Sequence, residues 1–315
     1  MFYGRTVALV LLLAVAAPAF AQAAYSPPRT AEGHPDLQGV WTSRWLTPLE
    51  RQPGVATLAL APEAAMAAEK AEWARHNSID PIEGTENFEF THFVVVRGET
   101  RSSLIVDPAN GRLPYTEQAR ARQIGTRPAV GVDGPEQRAL NERCLAGGNG
   151  FAPLLTAPSG NIRRIVQTSA DVVIWTELLS QLRIIPVDGR VETGVRREKT
   201  TGHWDGDALV IETTGIIDPT RGTRGSLFPV TPKTRITERF IRTASDELLY
   251  TFRVEDAALY TQPWTGETVM KRTDDVMYEF ACHEGNYGLA NILSGARVTE
   301  ARATSTKKAT SKAKQ

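Results

Sequence analysis

In the second half of the chain, short runs of alternating apolar and polar residues follow one another: Ile162 to Gln167, Val172 to Glu177, Leu182 to Val187, Ala208 to Thr213, Arg235 to Ile241, Leu248 to Val254, Thr268 to Arg272 and Met277 to Ala281. In Leu248 to Val254 the apolar set Leu248, Tyr250, Phe252 and Val254 alternates with Thr251 and Arg253, as in an antiparallel strand with one face in a core. Turn clusters separate most runs, at Ser169-Ala170-Asp171, Asp188-Gly189, Asp205-Gly206-Asp207, Ala244-Ser245-Asp246 and Thr273-Asp274-Asp275. The pattern predicts a mainly β fold, an antiparallel meander closed into a barrel or folded into a two-sheet sandwich, since either removes exposed strand edges.

The first half is less regular. Gly39, Val40 and Trp41 read as an opening strand, with Trp41 placed to plug one end of a core. Pro62 suits a first helical position, and Glu63 to His76, rich in Ala, Glu and Lys, predicts one peripheral helix. Strand character returns at Phe88, Phe90 and Phe93 to Val96, and at Ser103 to Val106. Residues 107–160 form an irregular, partly helical segment, with Thr116 a helix cap and Pro135 a second helix start. The Gly147-Gly148-Asn149-Gly150 run completes no phosphate-binding motif and reads as a loop.

Processing and charge change this picture at the two ends. Arg5, the apolar Val7 to Ala17 and the small-x-small Ala19-Phe20-Ala21 make residues 1–21 a signal peptide, so an exported protein, periplasmic or extracellular, is expected with no membrane span. Residues 22–35 hold Pro27, Pro28, Gly33 and Pro35 and read as an extended linker or strap. Residues 36–298 are one β-rich domain, and 299–315, with Lys307, Lys308, Lys312 and Lys314 among Ala, Ser and Thr, read as a disordered basic tail. Thirty-six basic residues balance thirty-six acidic ones, which leaves no global field for nucleic acid or an anionic membrane, the basic tail excepted. The two cysteines, Cys144 and Cys282, are expected to pair in an oxidising compartment.

The run Asp36 to Trp41, the block Gly202-His-Trp-Asp-Gly-Asp-Ala-Leu-Val-Ile-Glu-Thr-Thr214 and the ending Tyr278 to Arg297 resemble a widespread family of secreted bacterial proteins with no assigned activity. In that family the position of His203 is often an arginine, which the resemblance sets against a catalytic His203. Gly39-Val40-Trp41 before a train of antiparallel strands is similar to the opening of lipocalin-like barrels. That similarity implies a barrel, from which the helix and the irregular segment depart as peripheral additions. Trp175, Trp204, Tyr250, Phe252, Tyr260, Trp264, Tyr278 and Phe280 concentrate in the β half, most of them core by their alternation, and some are expected to line a cavity suited to a small, largely apolar or aromatic molecule.

Candidate chemistry concentrates near the C-terminus. His283 is a general acid/base candidate, with Glu284 or Asp205 to orient it, in a cofactor-free lyase, isomerase or hydrolase; alternatively it donates to a loop carbonyl. Glu177 and Arg183 flank a tight reversal between very apolar strands and read either as a buried ion pair or as a ligand clamp. Trp175, His203, Trp204, Tyr278, Asn286 and Tyr287 complete the candidate ligand-binding set. The His203-Trp-Asp-Gly-Asp207 spacing matches no metal motif, and neither a metal nor a cofactor is expected. A third reading is a structural envelope protein.

Overall fold

The computed structural model describes residues 25–77, 92–124, 131–138, 142–145, 150–157, 159–193, 198–216 and 228–312. The expected signal peptide, Phe88, Phe90 and residues 147–149 lie outside the described residues. In chain order the elements are β1 Gly39–Thr42, β2 Ala59–Leu60, α1 Pro62–Asn77, β3 Val95–Val96, β4 Glu99–Arg101, β5 Ile105–Asp107 and α2 Glu117–Ile124. There follow β6 Ile162–Gln167, β7 Asp171–Thr176, β8 Gln181–Pro186, β9 Glu192–Thr193, β10 Lys199–Asp205, β11 Ala208–Thr214, β12 Arg235–Ala244, β13 Glu247–Glu255, β14 Trp264–Arg272 and α3 Tyr287–Lys312.

One antiparallel sheet carries the strands in the order β8-β7-β6-β1-β14-β13-β12-β11-β10-β9, with β5 also paired to β14. The first strand makes closure possible. Trp41 on β1 lies opposite Arg163 of β6 on one side and Arg272 of β14 on the other, so β1 bridges the start and the end of the meander. The opposite seam brings β8 against β10 without a ladder: a Cβ built on Gly202 would sit 2.6 Å from Ile185 Cγ2, so only glycine lets the two strands meet. The result is a nearly closed antiparallel barrel, the first of the two architectures the alternation predicts. A smaller sheet, β2-β4-β3, covers the outside near β14, where Glu267 accepts from Arg97 (2.7 and 2.8 Å).

Alternation fixes the interior. The register places Trp41, Arg163, Ile174, Leu209, Phe240, Tyr250, Phe252 and Trp264 on the inward face, and all of these are fully or almost fully buried. Where ring volume is largest, the opposite strand gives way: Gly266 faces Phe252, and a Cβ there would come within 2.2 Å of the ring. The hairpins β6–β7, β10–β11 and β12–β13 define one end of the barrel, called here the sealed end. Trp41 lies there beneath the guanidinium groups of Arg242 (5.8 Å) and Arg272 (6.0 Å). The β7–β8, β11–β12 and β13–β14 connections define the other, plugged end.

Several elements sharpen or correct the sequence reading. Residues 25–35, a linker or a strap on sequence grounds, are a strap: a turn at Thr30–His34 and the bonds Asp36 N to Pro28 O (2.8 Å) and Leu37 N to Gln167 Oε1 (2.6 Å) fold them across the sealed end, burying Leu37. Lys199–Asp205 is a strand that the turn-like His-Trp-Asp-Gly-Asp spacing concealed. Met277 to Ala281 is not a strand. No ladder partner lies beside it among the described residues, and the backbone N–H of Tyr278 instead donates to Glu177 Oε1 (3.0 Å). The stretch 299–312 continues α3 rather than forming a disordered tail, in keeping with its Ala, Lys and Arg content, which favours helix even without an apolar set.

Because Gly266 admits the Phe252 ring, Gly266→Ala is expected to destabilise by about 1–3 kcal/mol through overpacking. Urea midpoints read this directly, and an unchanged midpoint would show that the ring has room to move.

Candidate functional site

Toward the plugged end the inward positions turn polar. Register and alternation bring Thr176 and Gln181 (β7 and β8), Arg183 (β8), Thr200 (β10), Thr213 (β11), Glu238 (β12) and Tyr250 (β13) to the same side of the sheet. Arg183 reaches across the barrel to Glu238, Nη1 to Oε1 at 3.1 Å and Nη2 to Oε2 at 2.5 Å, a bidentate pair whose carboxylate is fully buried. The Tyr250 hydroxyl donates to Glu238 Oε1 (2.7 Å) and accepts the backbone N–H of Leu154 (2.8 Å). Every polar atom of the phenol is thereby used.

Electrostatics keep these groups in fixed states. Burial works to lower the Arg183 pKa, but Glu238 beside it, helped by Tyr250 and Glu198, outweighs burial and leaves the guanidinium above its ordinary value and charged. Burial, and after it the Glu238 charge, push the Tyr250 phenol well above its ordinary range, so it persists as a neutral donor.

Residues 150–157 plug this end. Phe151, Ala152, Leu154 and Leu155 are buried, and Arg163 anchors the plug from β6: Nη2 donates to Leu155 O (3.0 Å), Nη1 to Ser43 Oγ (2.7 Å) and Asn161 O (3.2 Å). Gly150 lies so close to Gln181 that a Cβ would meet its Oε1 at 2.1 Å. Beyond the plug, Cys144 and Cys282 are joined in a disulfide with a Cα–Cα distance of 5.7 Å, as the sequence reading expected. Inside, Thr176 Oγ1, Gln181 Oε1, Thr213 Oγ1, Trp264 Nε1 and Thr268 Oγ1 are buried and have no hydrogen-bond partner among the described residues. A buried polar atom left unpaired costs about 1–3 kcal/mol, so five of them around one network mark a place prepared for polar partners.

The residues nominated from sequence fall into three places. Arg183 is central, but its partner is Glu238 and not Glu177, which lies one turn away from the interior and accepts from Tyr278. Asp205, His203 and Trp204 are at the sealed end: Asp205 binds Arg239 outside the barrel (2.9 Å), His203 is exposed, and Trp204 stacks on His34 at 4.7 Å. His283, Glu284, Tyr278 and Tyr287 are exposed on the arm that follows β14, by the plugged end. A strand's length, roughly 20 Å, therefore separates Asp205 from His283, so the two do not form one acid/base pair. Asn286 serves as a helix cap, its Oδ1 accepting from Leu289 N (3.2 Å) while Nδ2 donates to Glu142 O (2.8 Å). Trp175 lies on the outer face beside Arg164 (6.0 Å). Among the described residues no three His, Cys, Asp or Glu side chains are grouped to hold a metal.

Glu238, Tyr250 and the plug were missed as site residues. The signal for Tyr250 was present in its inward register, but Glu238 lies 55 residues from Arg183, and nothing local joins them. What the geometry defines is an antiparallel β-barrel with an aromatic core, one sealed end and one plugged polar end. No family model matches the chain, and no curated protein matches it. Among solved structures it is similar to a mutant of the fluorescent protein UnaG, at 11% identity over 42% of this chain and 86% of that one, with a TM-score of 0.25.

Glu238→Leu strands the Arg183 charge and is expected to cost about 3–5 kcal/mol, whereas Arg183→Met combined with Glu238→Leu should recover most of that loss. Equal losses in the single and double variants, measured by urea unfolding, would contradict the pairing. A pH dependence follows from Tyr250. Its folded pKa is raised above the unfolded value, so its contribution is fully present below about pH 10 and is lost as pH rises beyond it. Tyr115, pushed up by burial and then by Glu50, acts in the same sense. Urea midpoints should stay level up to about pH 10 and then fall, less steeply in Tyr250→Phe.

Proposed function

We propose that this chain is an exported small-molecule-binding protein whose ligand is held at the plugged polar end of the barrel. The observation that carries the reading is the ring of buried, unpartnered atoms, Thr176 Oγ1, Gln181 Oε1, Thr213 Oγ1, Trp264 Nε1 and Thr268 Oγ1, around the Arg183–Glu238–Tyr250 network. Small-molecule sites combine an apolar wall with a few placed polar groups, and here the wall is the aromatic core. Arg183 and Glu238 neutralise each other, so the atoms left over are one acceptor, one N–H donor and three hydroxyls that do both, the third being Thr268 Oγ1 opposite Tyr250. That set suits a neutral ligand bearing hydroxyl or amide groups. It suits a largely apolar ligand less, because Trp175, Trp204 and Tyr278, the aromatics expected to line a cavity, stand outside the interior or at the sealed end. Export through a cleaved leader and membership in the secreted family whose blocks the chain resembles belong to the same proposal; the disulfide supports the oxidising compartment.

Thermal-shift and calorimetric titration against sugars, polyols and amides, with fatty acids and aromatic compounds as the contrasting set, tests the reading. A hydroxylated or amide compound should stabilise the protein, and Gln181→Leu or Thr213→Val should each weaken its binding by about 1–2 kcal/mol. Stabilisation by the apolar set alone, or by neither set, would overturn it.

A further inference from the structure

The last forty residues behave unlike the rest of the surface. After β14 the chain runs outside the barrel as an arm, pinned by the Arg44–Asp275 ion pair (2.8 Å), the Tyr278–Glu177 bond and the disulfide, and it then enters the 26-residue helix α3. At 1.5 Å per residue α3 is about 39 Å long. None of its residues from 287 to 306 is buried, and beyond the Asn286 cap the Arg297 guanidinium ties it to the body at Val132 O (3.0 Å) and Asp133 O (3.3 Å). Helices usually draw their stability from packing one face, and on this one Leu289, Leu293 and Ala296 follow helical spacing yet are only half-buried, while Ile292 beside them is exposed. The arm also exposes aromatic and aliphatic side chains: Val276, Tyr278 (72%), Phe280, Tyr287 (75%), Ile292 and Val298.

Charge points the same way. From Val276 to the end the chain holds six Lys and Arg against three Glu, so with thirty-six of each sign in the whole chain, the preceding residues carry thirty basic against thirty-three acidic groups. The arm is basic and the body acidic. Exposed Tyr and Phe beside a basic helix with an apolar stripe is the composition of a segment that lies in a bilayer interface, its cations on anionic headgroups and its apolar side chains among the upper acyl carbons. We infer that the C-terminal arm, from Val276 through α3, docks the protein on the surface of an anionic lipid bilayer, without spanning it. The acidic body opposes close approach elsewhere, so the arm alone would carry the contact. Exposed apolar groups distinguish this partner from a nucleic acid, which would call on the cations only.

Co-sedimentation of the disulfide-bonded protein with vesicles of equal parts phosphatidylglycerol and phosphatidylcholine, and with phosphatidylcholine alone, tests the inference. Binding is expected on the anionic vesicles only, weakening as salt rises. Lys307→Gln, Lys308→Gln and Lys312→Gln together should weaken it roughly 100-fold, from about fivefold per basic residue. Tyr278→Ser with Tyr287→Ser should weaken it while leaving the salt dependence unchanged. The melting temperature of the Tyr278→Ser, Tyr287→Ser variant should match the parent, because both side chains are exposed. Failure to bind anionic vesicles, equal binding to both vesicle types, equally tight binding to duplex DNA, or a stable dimer that buries the arm would each overturn the inference.

Discussion

The buried bond between Arg183 and Glu238 is the constraint on which the upper half of the barrel depends. It joins β8, at the seam where the sheet lacks a ladder, to β12 on the far wall, so a side-chain pair spans the barrel near the gap the backbone leaves open. Two charges in so dry a place are tolerable only if all their hydrogen-bonding capacity is used, and Tyr250 and Leu154 extend the network for that reason. Through the Leu154 amide the same network fixes the plug. A hydrophobic pair of similar volume would close the seam about as well, so the cost of keeping ions there points to a role beyond stability.

Much of the barrel was legible. Alternation in Leu248 to Val254 put Tyr250 and Phe252 inside, and six of the eight predicted runs lie within about a residue of β6, β7, β8, β11, β12 and β13, less the last three residues of β12, because strands with one buried face must alternate. The Cys144–Cys282 pairing was expected from the compartment that the N-terminal leader pattern implies and from there being two cysteines to join. What failed did so where local pattern and tertiary partner disagree. Tyr278-Glu-Phe280 alternates as a strand does, yet the neighbouring edge is already filled, since β1 occupies the ladder beside β14. β10 was hidden because its inward residues, Thr200, Gly202 and Trp204, do not read as an apolar set, and Gly202 is there to let Ile185 approach rather than to turn the chain.

The site was legible only at Arg183. Charge between apolar strands announced that something there must be paired, but proximity in sequence suggested Glu177, while folding supplied Glu238. The other nominated residues were chosen for chemistry at turns, and the topology sends alternate turns to opposite ends of a barrel. His203 and Asp205 thus part from His283 and Glu284 by the parity of the hairpins, a property no single stretch of sequence displays. The disulfide has a matching consequence at the plugged end. By closing a separation of 138 residues it fastens the plug's approach to the base of α3, which joins the polar interior and the exposed arm in one structural unit.

The account places a neutral, hydroxyl- or amide-bearing ligand against Thr176, Gln181, Thr213, Trp264 and Thr268. An atomic-resolution crystal structure of protein purified from its own cells tests this most directly. It should show continuous density for an organic molecule with polar atoms within hydrogen-bond distance of Gln181 Oε1 and Thr213 Oγ1, above an intact Arg183–Glu238 pair. Discrete water peaks bonded to the unpartnered atoms of those five residues, with the plug seated on Tyr250, would contradict it.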